Sequence, residues 1–321
     1  MMEDTLRRFG EQFTWQPVVE NGEAKPSKKY IVIGMGGSHL GAWLIQHYGG
    51  VHDIIIHRDY GLPDVSEETL RESVIILSSY SGTTEEVLDA ARIVVERGFP
   101  AMAISIGGKL IPFAQEHGIP FVRMPELGLE PRMAIGLSML GIAKLMGNAK
   151  LEAAIRSAGA SIDPVAGQEE GKRIAATLSK KIPAIYASTR NYPLAYIWKI
   201  KFNETSKIPA FCNAVPEMCH NELNGYGIVD ATRPIAENIH AILLEDSTDH
   251  PRIQKRMRVF TEMLDERNLT IEHLHLEGDA FVKVFKTALL ADWVSVVLAK
   301  EYGVPNPNTP MIAEFKQRIE Q

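Results

Sequence analysis

Short apolar runs alternate, along the first half of the chain, with longer stretches whose apolar residues recur every three or four positions. The runs Tyr30–Gly34, His52–His57, Val74–Leu77, Ala101–Ile106 and Pro120–Arg123 are predicted strands, several of them rich in Ile and Val. The clearest predicted helix is Thr83–Arg97, where Val87, Ala91, Val94 and Val95 share one face and Gly98 supplies the stop. Strands alternating with helices predict a parallel sheet covered on both faces. The pattern then restarts. After the helical segment Pro131–Gly147 and two further helical stretches, Ile182–Ala187 reads as a fresh first strand. It is followed by Ser188-Thr189-Arg190 and a helix opening at Pro193. This duplication predicts an α/β protein with two consecutive doubly wound parallel-sheet domains, residues 1–147 and 148–321.

The length agrees with that division, since 321 residues exceed one ordinary core and suit two domains of about 150. The formal net charge of -6 argues against a nucleic-acid surface, which needs a basic stripe. It also means that an anionic substrate must be held by local donors rather than by a global positive field. Cys212 and Cys219 are too few for a disulfide framework. Met1–Gly10 has no apolar signal core, and the apolar run Thr287–Ala299 is short and holds Asp292. The expectation is a cytoplasmic protein without membrane attachment.

Two loops carry candidate chemistry. The first predicted strand runs into Met35-Gly36-Gly37-Ser38, and the third into Ser78-Ser79-Tyr80-Ser81-Gly82-Thr83-Thr84, each with a helix following. Glycines let backbone N–H groups approach an anion, and helix N-termini add positive partial charge. Ser38, Ser79, Ser81 and Thr84 add hydroxyl donors. Neither loop holds Lys or Arg, and no GK[ST] follows. Phosphoryl transfer needs cations on the moving charge. A neutral cradle therefore suits a phosphate that is held and never broken. The plain alternative is helix capping, with Ser81 as N-cap ahead of Glu85 and Glu86. A dinucleotide fingerprint at Gly34–His39 is a further alternative, but His39 stands where its third glycine would be, and it gives the second loop no role.

In the second half, Tyr196, Ile200 and Glu204 sit at i, i+4 and i+8, so Glu204 is expected to continue an apolar helix face. A partly desolvated carboxylate near a helix C-terminus is a candidate general base, against the commoner reading of a solvated glutamate. Glu217 lies one turn before His220 and is positioned to orient its ring. His273 and His275 are expected to face solvent from a strand, and the spacing of Cys212 and Cys219 fits no usual zinc site. Arg132 follows Pro131 at an expected helix N-terminus, where a cation opposes the macrodipole. Lys300 is expected to extend the buried stripe of Trp293 and Val296, or to snorkel from it.

Together these segments resemble the sugar isomerase (SIS) superfamily, and within it the bifunctional phosphoglucose/phosphomannose isomerases of archaeal type. The likeness runs nearly end to end. It includes Gly34–Ser38, Arg58-Asp59-Tyr60 before Leu62-Pro63, Ser79–Glu86, Gly107–Leu110 and Glu130-Pro131-Arg132. Asn203-Glu204, Pro216-Glu217, His220-Asn221-Glu222, Gly303-Val304-Pro305 and Phe315-Lys316 complete it. The resemblance implies SIS domains of flavodoxin-like order and isomerisation of a hexose 6-phosphate through a cis-enediol. It implies that Gly36, Gly37, Ser38, Ser79, Ser81 and Thr84 hold the phosphate and that Glu204 is the base. His220 and Lys300 would open the sugar ring, and Arg132 would stabilise the enediolate. It further implies a homodimer with a shared active site lying between domains and subunits, His220 coming from the neighbouring chain. No metal or cofactor is called for. A different sugar phosphate (a pentose or amino sugar) or a non-catalytic sugar-phosphate sensor are the competing readings.

Overall fold

The computed structural model describes residues 2–227, 229–305 and 308–319. The first half contains α1 (Met2–Arg7), β1 (Val19–Glu20), β2 (Tyr30–Ile33), α2 (Leu40–Tyr48), β3 (Ile54–His57), α3 (Glu67–Glu72) and β4 (Val74–Ser78). There follow α4 (Glu85–Arg97), β5 (Ala101–Ser105), α5 (Leu110–Glu116), β6 (Phe121–Arg123), α6 (Ile135–Leu145) and α7 (Ala149–Ala160). The second half contains α8 (Gln168–Leu178), β7 (Ile182–Ser188), α9 (Tyr192–Lys201), β8 (Phe211–Val215), α10 (Arg233–Ala236) and β9 (Ile239–Glu245). It ends with α11 (Pro251–Asp265), β10 (Ile271–His275), α12 (Ala280–Glu301) and α13 (Pro310–Ile319).

The chain forms two compact units, one of Phe9–Ile162 with Ala280–Val282, the other of Met1–Arg8, Asp163–Asp279 and Lys283–Gln321. The sequence places the boundary after residue 147; in this division α7 goes with the first unit, together with Ala280–Val282 of α12, and α1 with the second. The Arg156 guanidinium on α7 donates to the carbonyls of Phe13 and Trp15, the latter at 2.7 Å. A Cβ on Gly159 would lie 2.1 Å from the Phe13 ring, so α7 meets that ring at a distance only glycine permits.

In the first unit the strand order is β1-β6-β5-β4-β2-β3, antiparallel at β1 and parallel elsewhere. Every residue of β2, β4 and β5 is buried, as a parallel sheet covered on both faces requires. The amphipathic face of α4 supplies Val87, Ala90, Ala91 and Val94 to the core on one side of the sheet. Among the parallel strands, β2 has its successor β3 on one side and β4 on the other. The order therefore reverses between β2 and β4, which opens a crevice at their C-terminal ends, where ligands of open α/β sheets bind.

The second unit repeats the scheme in four parallel strands, β10-β9-β7-β8, with the reversal between β7 and β9. No helix among the described residues is long and apolar enough to cross a membrane.

Candidate active site

The two loops singled out from the sequence leave β2 and β4, on either side of the first crevice. Their hydroxyls are wired together rather than scattered. The Tyr80 N–H donates to Ser38 Oγ at 2.9 Å, and Ser78 Oγ donates to the Ser38 carbonyl at 2.7 Å. Ser79 Oγ lies 2.7 Å from Thr84 Oγ1 and accepts from Gly82 N–H at 3.0 Å. Ser81 is exposed and Thr84 half-buried, so donors remain at the mouth. The N-cap of α4 is Thr84, not Ser81, and Thr84 makes no side-chain cap bond. Ser81 instead accepts from Thr83 N–H at 3.2 Å within the loop. Helix capping therefore does not account for the hydroxyls.

Glycines set how closely the backbones approach. A Cβ on Gly37 would lie 2.7 Å from the Pro131 carbonyl carbon and 2.9 Å from Arg132 N, which joins the first loop to the segment before α6. On the other side, Lys109 N–H and Leu110 N–H each donate to the Gly82 carbonyl at 2.9 Å. The role of Gly107-Gly108 is to let that loop abut Ser81 and Gly82; a Cβ on Gly108 would be 2.2 Å from the Ser81 carbonyl.

Arg132 does not sit at a helix N-terminus, because α6 begins at Ile135. It lies in the preceding turn with its side chain 0% exposed and its guanidinium 3.4 Å from the Glu130 carboxylate. Gln12 pins that turn by donating to the Met133 carbonyl at 3.1 Å and accepting from Gly136 N–H at 3.0 Å. A fully desolvated guanidinium is costly unless paired and bonded, and Glu130 supplies a partner here. Tyr80, to which the sequence assigned no role, adjoins the first loop through its backbone N–H. Burial, with Glu130 and Glu126 nearby, pushes its phenol up to about 12, so it stays a neutral donor.

His39, the departure from the glycine fingerprint, is fully buried on the inner side of the first loop, 5.5 Å from the Trp43 ring. Burial and the nearby Arg58 charge lower its pKa to about 4, against a backbone hydrogen bond to Gly36. It folds neutral, whereas unfolded it binds a proton below about 6.5. Stability should therefore fall as pH drops from about 6.5 to about 4, by about 3 kcal/mol in total from this group. Urea unfolding at pH 7 and pH 4.5 should show a smaller difference in His39→Gln; equal differences would refute this account.

The second crevice carries no such cradle. Ser188 Oγ donates to Asp249 at 2.9 Å, Thr248 N–H donates to Asp246 at 3.0 Å, and Asn191 Nδ2 reaches both carboxylates. Arg190 and Lys283 complete the network. Burial alone would raise the Asp246 carboxyl, but bonds from Lys283, Thr248 and Asn191 hold it well below the usual carboxylate range. The donors of the repeated hydroxyl turn are thus directed at internal carboxylates.

The second unit carries the remaining candidates on three separate elements. Glu204 does not continue the α9 face. The helix ends at Lys201 and passes into a π-helical turn, Phe202–Ser206, closed by Lys207 at φ 59°. A π turn carries an extra residue, which breaks the i+4 register from Ile200. Asn203 Nδ2 donates to the Ile208 carbonyl at 3.0 Å, and Glu204 is half-buried. Such turns recur at functional sites, and the apolar spacing contained no sign of it.

His220 ends the 3-10 turn Glu217–His220, which follows a cis Val215–Pro216 bond, and it is exposed. Glu217 does not orient it, because its carboxylate accepts from Asn221 Nδ2 at 2.8 Å. The segment is anchored from beneath by buried Met218 and Tyr226 and by Tyr186, whose hydroxyl lies 3.0 Å from Glu222. Lys300 does not extend the buried stripe of α12. Its side chain is 80% exposed, with Glu3 of α1 at 3.8 Å. His273 and His275 project from β10, with Nδ1 at 3.0 Å and 3.6 Å from Glu245. Among the described residues no three His, Cys, Asp or Glu side chains gather as a metal site.

The parallel sheets, each reversing its strand order, define an α/β protein with SIS-like domains. Residues 167–319 match the family described as "Bacterial phospho-glucose isomerase C-terminal SIS domain". A glucose-6-phosphate isomerase like protein of Thermus thermophilus superposes with a TM-score of 0.62 at 18% identity, over 99% of this chain and 96% of that one. A bifunctional phosphoglucose/phosphomannose isomerase of Aquifex aeolicus is 29% identical over 98% of this chain and 96% of its own. One of Caldicellulosiruptor bescii is 30% identical over 91% of this chain and 88% of its own. The chain belongs to the family of bifunctional phosphoglucose/phosphomannose isomerases, and it is an enzyme of the isomerase class.

Proposed function

We propose that the chain interconverts fructose 6-phosphate with glucose 6-phosphate and with mannose 6-phosphate. The observation that carries this reading is the cation-free cradle of Gly36, Gly37, Ser38, Ser79, Ser81 and Thr84, backed by a fully buried Arg132. Hydroxyl and amide donors grip the ester while leaving its P–O bond unpolarised. The binding energy of that remote group then serves to orient the reacting carbons.

In this reading His220 and Lys300 open the ring, the Lys300 amine standing at the surface beside Glu3. The Glu204 carboxylate takes the C2 proton of the open aldose, and the electron pair moves into a C1–C2 double bond while O1 gains a proton. The cis-enediol carries partial negative charge on oxygen, which the Arg132 guanidinium stabilises. Return of the proton to C1, as O2 gives up its hydroxyl proton and its electron pair forms the C2 carbonyl, gives the ketose. The enediol is planar at C2, so the face that is reprotonated decides between glucose and mannose.

We place the enzyme in cytoplasmic carbohydrate metabolism, in glycolysis and gluconeogenesis, as a metal- and cofactor-independent homodimer whose partner supplies His220. The deciding experiment incubates the EDTA-treated enzyme with fructose 6-phosphate in D2O and resolves both aldoses by NMR. Both should form, with deuterium at C2. A higher kcat/KM for a pentose or amino-sugar phosphate would replace the substrate assignment.

A further inference from the structure

The second unit buries a pair of charges that the proposed chemistry leaves unused. Lys201, the last residue of α9, and Asp292, midway along α12, are 0% and 3% exposed and form an ion pair. Apolar residues of similar volume usually stabilise a core as well as a buried pair does, or better. Packing therefore gives no reason for the two charges.

Their position does. Lys201 immediately precedes the π turn that carries Glu204. Ser206, the last residue of that turn, donates its Oγ to the Ser295 carbonyl at 2.8 Å, and both serines are buried. Asp292 and Ser295 are three residues apart on α12, so one face of that helix grips the turn at both ends. A π turn is rare because the α geometry competes with it, and it persists where its surroundings hold it.

We propose that Lys201, Asp292 and Ser206 form a polar clamp that fixes the wide turn and thereby sets where the Glu204 carboxylate is presented. They are positioning residues and touch no substrate. The inference rests on reading Glu204 as the base, and it adds the device that places that base.

The double variant Lys201→Met/Asp292→Leu removes both charges without stranding either. It should fold, with its thermal midpoint within about 5 °C of the parent. Its kcat should fall about 10²-fold while KM moves less than about threefold, because misplacing a reacting group by about an ångström has that scale of effect. A purely structural pair would lower the folded fraction and leave kcat per folded molecule unchanged. Glu204→Gln, assayed in parallel, separates the two ideas. If it is inactive while the folded double variant turns over normally, the clamp is overturned and the base stands; if it turns over normally, both fall. Should the double variant not fold, Ser206→Ala decides. A kcat lowered about tenfold at constant KM supports the clamp, and an unchanged kcat overturns it.

Discussion

Glu204→Gln should lower kcat by about 10²–10⁴-fold, the contribution of a well-placed general base. The amide keeps the size and hydrogen-bonding reach of the carboxylate but cannot accept the C2 proton. Glu204 is half-buried on a turn held by Asn203 and Ser206, so the fold should tolerate the change and the thermal midpoint should stay within about 2 °C. The proposed phosphate donors lie in the other unit, on the loops after β2 and β4, so KM should change little. A fall in kcat and in kcat/KM by the same factor is the signature of an interaction made only in the transition state. Stopped-time assays with EDTA-treated protein, combined with loss of deuterium incorporation at C2, check this. Retained exchange at C2 in the variant would remove Glu204 from proton transfer whatever the net turnover.

The sequence showed more of the fold than of the site, for a physical reason. Tyr30–Gly34, Val74–Leu77, Ala101–Ile106 and Ile182–Ala187 were expected as strands, and each is one within a residue or two at its end. A fully buried parallel strand must be a short apolar run, and a helix covering it must show a 3.6 period. The hydroxyl loops were equally visible, because a strand that ends in Gly and Ser before a helix has few local alternatives. What periodicity does not encode is how helix ends meet their neighbours. Extending the α9 spacing to Glu204 assumed four residues per step, whereas contacts to α12 hold a π turn there. Extending the α12 stripe to Lys300 failed at the last turn, where nothing buries the side chain. The burial of Arg132 and Lys201 was also hidden. Charged side chains are normally exposed, and only tertiary packing shows these two to be exceptions.

The internal duplication was legible, but its asymmetry was not. Ser188-Thr189-Arg190 occupies in the second sheet the place that Gly36–Ser38 occupies in the first, after the strand at the order reversal. Asp246 and Asp249, on the loop after β9, take up its donors. The hydroxyl, amide and cationic donors of that crevice are already engaged by the two buried carboxylates and are not left for a second anion. Among the described residues, the proposed cradle therefore has no counterpart in the second sheet because two acidic residues take up the donors there, not because the fold is lost.

Gly82→Ala should cost on the order of 3 kcal/mol of stability and raise KM for the phosphate ester at least about tenfold. Gly82 has φ +70°, in the left-handed region that costs an alanine about 1 kcal/mol. The larger part is steric. The new Cβ would lie 1.9 Å from the Gly107 carbonyl oxygen and 2.7 Å from Ser105 Oγ, and backbone cannot step aside as a side-chain tip can. Relief requires moving the Gly107 peptide, which accepts from Ser105 Oγ at 3.1 Å, or the Gly82 peptide, which accepts from Lys109 and Leu110. Either movement weakens the 3.0 Å bond from Gly82 N–H to Ser79 Oγ and spreads the hydroxyls proposed to grip the ester. Gly98→Ala is the control. Gly98 has φ +65° at the end of α4 with nothing within 4 Å of a built Cβ, so it should lose only the backbone contribution and leave KM unchanged. Thermal melts and initial rates on the two variants separate the contributions. Equal destabilisation in both, with KM unmoved in Gly82→Ala, would show that the close approach of Gly82 to the Gly107-Gly108 segment does not shape the cradle.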